Sequence, residues 1–341
     1  METILYQNGQ RYTENVFAKE QTFEQLIVDQ ATTLFGTQTL WVDTKKKLDT
    51  KALGGVIPDG FLLDLNDPEN PEFYIVEVEL AKHSFYGHIF PQITKFFAFF
   101  KNPESQSKLV EKLYGIFDQD KTLYQKLKGF IGKREVFKFL KDMLDNSQNI
   151  LLVLDAPKPE LPEIMATYTD TWDKMVKVQL LKVYRSSHSK EQILMLSPPF
   201  EALDVADLSD DVSTVAPSDQ VALSYNASYH LDNASAEVQD TYKEFQSKLI
   251  DKIPDLNFNY QKRYISLRKK RNFAYLKIRK SKINLVAMLN ETNIRQKIQH
   301  HPISSLSDSV QRYYNGDCAR IDFHNAQHLD ELVDLLVDIQ K

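Results

Sequence analysis

Residues 73–81, FYIVEVELA, constrain the fold of this chain more than any other segment. Nearly every residue there is one a buried strand prefers, yet Glu77 and Glu79 interrupt the run two positions apart. Side chains alternate across a strand, so both carboxylates project from one face of a sheet. Like charges that close raise each other's pKa, and taking them out of water is costly unless something positive compensates. A divalent cation is the simplest compensation.

Asp59, in Ile57-Pro58-Asp59-Gly60, begins the preceding β-prone run and lies eighteen residues before Glu77, a separation one hairpin spans. Antiparallel pairing brings its carboxylate beside Glu77. Asp59, Glu77 and Glu79, with the backbone carbonyl of Val78, then make an all-oxygen site suited to Mg²⁺ or Mn²⁺ rather than zinc.

The surrounding periodicities alternate between helix and strand. Residues 22–35 place Phe23, Leu26, Ile27, Ala31 and Leu34 at helical spacing, with Thr22 as the expected cap. Short β-prone runs follow at 39–43, 57–65 and 72–80, separated by Gly54-Gly55 and by the turn sequence 66–71. A helix is expected over 89–100, ending before Pro103, then two more helices. Strands are expected at 149–154, 175–184 and 192–196. This order predicts an α/β domain over residues 1–199, a mixed sheet flanked by helices.

With those residues in hand, the segment 15–200 resembles the PD-(D/E)xK nuclease superfamily, in which a Glu-bearing helix precedes a hairpin carrying Pro-Asp and then (Asp/Glu)-x-Lys, followed by a further helix. Pro58-Asp59 matches the first half of the motif and Glu77-Val78-Glu79 occupies the second. Glu24 sits on the preceding helix, where many members carry a metal-linked Glu, and Gln92 resembles the Gln that exonuclease-like members place after the hairpin. The resemblance implies a restriction-endonuclease-like fold and Mg²⁺-dependent hydrolysis of a phosphodiester, with Asp59, Glu77 and the Val78 carbonyl holding the metal. The metal would lower the pKa of the attacking water and neutralise charge on the phosphate. The family's lysine is Glu79 here. Glu79 would then act as general base or second metal ligand, or Lys82 or Lys95 would supply the missing charge.

His83 and His88 follow at once, in KHSFYGHIF. A spacing of five does not bring both to one helix face, so phosphate contact or packing is expected of them rather than metal ligation. Tyr86, Phe90, Phe96, Phe97, Phe99 and Phe100 are expected to pack a helix against the sheet.

From Glu191 to Tyr242 there is no Lys or Arg, while Glu201, Asp204, Asp207, Asp210, Asp211 and Asp219 fall within that stretch. Residues 200–222 read as an acidic linker, either a solvated spacer or a strip that mimics DNA in a basic groove. Beyond it, residues 223–341 predict a smaller α+β module: a helix over 238–253, a hairpin of 273–279 and 282–289 joined by Lys280-Ser281, and a terminal helix over 329–339. Between Lys262 and Lys282 there are ten basic residues and no acid. Arg268, Lys269, Lys270, Arg271, Lys277 and Arg279 are candidates for phosphate contact, with Tyr260, Tyr264, Phe273 and Tyr275 placed to stack on bases. A solvated basic face is the other reading. Residues 264–289 with the terminal helix resemble the DUF5655 domain, which brings no established chemistry.

One cysteine, Cys318, excludes an intramolecular disulfide, a Cys-rich zinc site and a Cys-x-x-Cys redox pair. The N-terminus lacks the basic start and apolar core of a signal peptide, and no apolar run approaches a membrane span, so a cytoplasmic protein is expected. The net charge of −5 excludes a uniformly basic surface but not a local basic patch. The function expected is a metal-dependent endonuclease of DNA, by analogy in bacterial restriction or anti-phage defence, and simplest as a homodimer on a duplex. Two alternatives stay open: a non-catalytic nucleic-acid-binding protein on a degenerate nuclease fold, and a sensor whose C-terminal module receives a ligand.

Overall fold

The computed structural model of the chain describes residues 3–44, 57–67, 71–168, 171–172, 175–187, 189–203, 225–232, 234–261, 264–306, 308–314 and 316–340. It divides into two compact units, Met1–Leu203 and Asp204–Lys341.

The first unit opens on a hairpin, β1 (Ile4–Gln7) and β2 (Gln10–Glu14), turned at Asn8-Gly9. Both turn residues have positive φ, 50° and 75°, which is the conformation a two-residue hairpin loop requires and Asn-Gly tolerates. Helix α1 (Glu20–Phe35) follows. It begins on Lys19, so Thr22 lies in the first turn and is not the cap. Strands β3 (Thr39–Asp43), β4 (Gly60–Asp64) and β5 (Glu72–Glu79) form an antiparallel meander. The expected strand over 57–65 is shorter at both ends.

A π-helical turn (Phe85–Ile89) leads into α2 (Phe90–Phe100). Three further helices follow where two were expected: α3 (Pro103–Gln119), α4 (Lys121–Ile131) and α5 (Val136–Asn146). The additional break falls at Asp120, which leaves helical geometry and accepts a hydrogen bond from the Leu123 N–H, so one residue ends α3 and caps α4. Strand β6 (Asn149–Leu154), α6 (Leu161–Thr167), β7 (Val176–Ser186) and β8 (Gln192–Ser197) complete the unit.

The eight strands form one mixed sheet in the order β1-β2-β7-β6-β5-β4-β3, with β8 pairing β7. The pairings of β5 with β6 and of β6 with β7 are parallel, and both crossovers carry helices. Two cores sandwich the sheet. On one face Phe23, Ile27 and Leu34 of α1 pack on Val76, Val78, Leu151 and Val153. On the other, α2, α3 and α5 bury Phe96, Leu113 and Leu140 against Ile75, Ile150 and Leu152. Tyr86, assigned to packing from sequence, is instead exposed. Glu77 and Glu79 share the parity of Ile75 and therefore emerge on the α2 face.

Phe200 and Leu203, inside the stretch read as linker, are buried against α1, where the Phe200 ring meets Phe35 and Tyr74. Residues 204–222 of that stretch lie outside the described residues.

The second unit comprises α7 (Ala227–Leu231), α8 (Ala236–Lys252), β9 (Asn257–Tyr260), β10 (Ile265–Arg268), β11 (Asn272–Ile278), β12 (Ile283–Ala287), α9 (Glu291–Lys297), β13 (Ile303–Ser305), α10 (Asp308–Tyr313), β14 (Ala319–Phe323) and α11 (Leu329–Ile339). Its six strands are antiparallel in the order β13-β14-β12-β11-β10-β9. Helices α8 and α11 seal one face through Tyr242, Phe245, Leu249, Leu332 and Leu336. The other face carries a smaller cluster, Val310, Tyr314 and Cys318 with Tyr275.

Candidate functional site

The acidic site forms where β5 leaves the sheet. Gly60 pairs with Val76, and one step further out stands Asp59. Its Oδ2 accepts the N–H of Val78 at 2.7 Å, the amide between the two glutamates. Glu77 receives a hydrogen bond from the Gln92 side-chain amide of α2. Asp59, Glu77 and Glu79 are exposed by only 5%, 2% and 1% respectively, so three carboxylates share a nearly dry end of the sheet. Glu24 is buried too, on α1.

Glu79 has the most unusual surroundings. Its Oε2 lies 2.8 Å from His83 Nδ1 and its Oε1 3.0 Å from His88 Nε2. His83 Nδ1 is also 3.0 Å from Glu20 Oε2 of α1. Burial pushes the Glu79 carboxyl up to about 8, the Glu20 carboxylate adds to the rise, His88 opposes it, and Asp59 raises it again.

The two histidines converge although a spacing of five cannot place them on one helix face. His83 belongs to the turn after β5, and the π-helical turn, capped by Ser84, swings His88 back over Glu79. The rings meet edge to face at 5.4 Å. Among the described residues, Glu20, Glu79, His83 and His88 are a group whose ligand atoms all lie within 4.8 Å of one another. Glu20 was not singled out from sequence, and its only signal there is its place at the start of a helix.

The loop after β5 is held by groups that motif spacing also missed. Asp155, just past β6, accepts the Ala81 N–H at 2.6 Å. Lys158, buried, donates to the His83 carbonyl. Lys82 turns its ammonium to the carbonyls of Phe17 at 3.4 Å and Ala18 at 2.6 Å, while Lys95 is exposed on α2.

In the second unit the basic residues separate. Arg268, Lys269, Lys270 and Arg271 are exposed at the β10–β11 turn. Lys277 and Arg279 are half-buried on β11 and just beyond it, and Arg279 Nε donates to Asn284 at 3.4 Å. Lys282 is a core residue, paired with Asp322 at 2.8 Å. The aromatics point elsewhere than to solvent: Tyr264 and Phe273 are buried, Tyr275 packs between Tyr264 and Tyr314, and Tyr260 hydrogen-bonds Tyr242 at 3.0 Å.

Residues 227–315 match the family described as "Domain of unknown function (DUF5655)". The match begins at α7 and ends before β14 and α11, so the terminal helix lies outside it. No curated protein and no solved structure matches the chain. Among the described residues, no helix is long and apolar enough to cross a membrane.

Proposed function

We propose that the first unit is a metal-dependent phosphodiester hydrolase acting on nucleic acid, most simply DNA. The observation that carries this reading is the burial of Asp59, Glu77 and Glu79 together at one end of the sheet, with Asp59 bonded to the Val78 amide between the two glutamates. The donor set of Asp59, Glu77 and the Val78 carbonyl is all oxygen, which fits Mg²⁺ or Mn²⁺. Such an ion supplies charge neutralisation at the phosphate. The chain's own contribution is to orient: the Val78 N–H holds the Asp59 carboxylate, and Gln92 holds Glu77. Glu79, whose oxygens face two imidazoles, serves in this reading as a ligand rather than as a substitute for the family's lysine. The exposed basic turn 268–271 is a contact for the phosphate backbone. A role in restriction or anti-phage defence, and a two-fold dimer, follow from the resemblance alone.

The test is incubation of the full chain with plasmid in Mg²⁺ or Mn²⁺, beside Asp59→Ala and Glu77→Ala. Cleavage by the wild type that disappears in both variants supports the reading. No wild-type cleavage with either ion, or equal traces in all three proteins, removes it. A protein that keeps a metal-dependent rise in melting temperature but never cuts would fit the non-catalytic alternative, which the carboxylate at position 79 favours.

A further inference from the structure

We infer that Glu20, Glu79, His83 and His88 form a second metal site, selective for a divalent transition-metal ion over Mg²⁺. This inference does not rest on the hydrolase reading: the two share only Glu79, the other three donors are distinct, and the test is a binding measurement rather than turnover.

Ligand atoms from four successive or separate segments converge: Glu20 from α1, Glu79 from the end of β5, His83 from the following turn, and His88 from the π-helical turn. Three contacts within the group, of 2.8 to 3.0 Å, are as short as those between neighbouring ligands about one small ion, and one ligand atom from each residue lies within 4.8 Å of the others. At metal–ligand bonds of about 2.1 Å, adjacent donors lie roughly 3 Å apart.

Hydrogen bonding among the four groups does not satisfy them. His83 Nδ1 faces oxygens of both Glu20 and Glu79, and a single N–H cannot serve the two fully. Glu79 Oε1, on a side chain 1% exposed, has no hydrogen bond among the described residues, although His88 Nε2 is 3.0 Å away: the two are close but not aligned as donor and acceptor. A divalent cation bound between them would offset two carboxylate charges at once. The buried oxygen points into the cluster, and its two imidazole partners remain partly open to solvent, at 30% and 50%, so an ion has a path in.

The donor set decides the kind of ion. Two imidazole nitrogens with two carboxylate oxygens suit Mn²⁺, Fe²⁺, Co²⁺ or Zn²⁺, whereas Mg²⁺ prefers oxygen donors alone. Divalent affinity at such a site rises from manganese toward copper, so Zn²⁺ and Co²⁺ are the sensitive probes.

The experiment is calorimetric titration of the full chain with Zn²⁺, repeated in millimolar Mg²⁺, with the visible spectrum of the Co²⁺ complex as a second readout. It is made in a His328→Ala background, because His300, His328 and Glu331 form another, exposed group within reach of one ion. One equivalent of Zn²⁺ that Mg²⁺ does not displace is expected. That equivalent and the Co²⁺ spectrum should be lost in His83→Ala/His88→Ala and kept in Asp59→Ala. Failure of the background protein to bind Zn²⁺, or unchanged binding in the double variant, overturns the proposal. Should the double variant not fold, the single His88→Ala, altered at a half-exposed ring, decides on the same criterion. Absence of plasmid cleavage by the wild type with Zn²⁺ binding intact would count against the hydrolase reading and leave this site standing.

Discussion

Glu331 illustrates how a surface carboxylate becomes structural. It stands in the first turn of α11 and accepts the N–H groups of Gln299 at 3.0 Å and His300 at 3.3 Å, together with the His300 ring. Burial alone would push its carboxyl up, but the Gln299 N–H and the His300 ring and N–H outweigh this and bring it to about 2, against 4.5 for an ordinary glutamate. A depressed folded-state value means that the stabilisation is complete above about 4.5 and fades as pH falls toward about 2. Glu331→Gln is expected to lower the stability of the full chain's second unit by about 1 kcal/mol at neutral pH. In urea denaturation the gap between variant and wild type should close in acid, and a gap that stays constant across that range would contradict the assignment. Lys282 and Asp322 make the complementary point. Asp322 also takes a hydrogen bond from Asn284 at 2.7 Å and sits 3.2 Å from Arg320, so the lysine read as part of a basic face is spent inside the sheet.

At the scale of elements, β3 and β4 depend on what Gly60 lacks. Gly60 is buried at the start of β4, and a Cβ there would run into the Trp41 ring of β3. Trp41 in turn stacks on Phe35 of α1 with centroids 6.1 Å apart. Gly60→Ala must displace the indole, at a cost of roughly 1–3 kcal/mol for overpacking. Because Gly60 adjoins Asp59, the same variant should also reduce any activity that depends on the acidic site. Thermal unfolding followed by tryptophan fluorescence checks the first part, and an unchanged midpoint would show that the ring moves freely. The strands themselves are largely legible: the β-prone run at 39–43 and the apolar run at 149–154 coincide with β3 and β6. The β1–β2 hairpin is signalled by Asn8-Gly9 alone, and the extra helix break at Asp120 only by the short polar run 118–122 between two apolar-periodic stretches.

The whole molecule is two units with separate cores, one built on a mixed sheet and one on an antiparallel sheet. A domain with its own core can in principle fold alone. Fragments 1–203 and 225–341 are each expected to give a cooperative unfolding transition and dispersed amide spectra. Plasmid cleavage, if the hydrolase reading holds, should stay with fragment 1–203 at reduced affinity and with a weaker salt dependence, because the basic turn 268–271 is gone. A fragment without cooperative unfolding would show that its core is incomplete by itself.

Local pattern was enough to set the α/β character of the first unit, the shared face of Glu77 and Glu79, and the pairing that brings Asp59 near them, because the two-residue period of a strand and the length of a hairpin are local constraints. What gathers round Glu79 was a tertiary matter. A π-helical turn and the arrival of α1 bring His83, His88 and Glu20 to one carboxylate, and no spacing rule for a regular helix contains that geometry. The same holds for Lys282 in the second unit: its charge is visible in the sequence, but only the placement of Asp322 on β14, forty residues away, decides that the charge is buried.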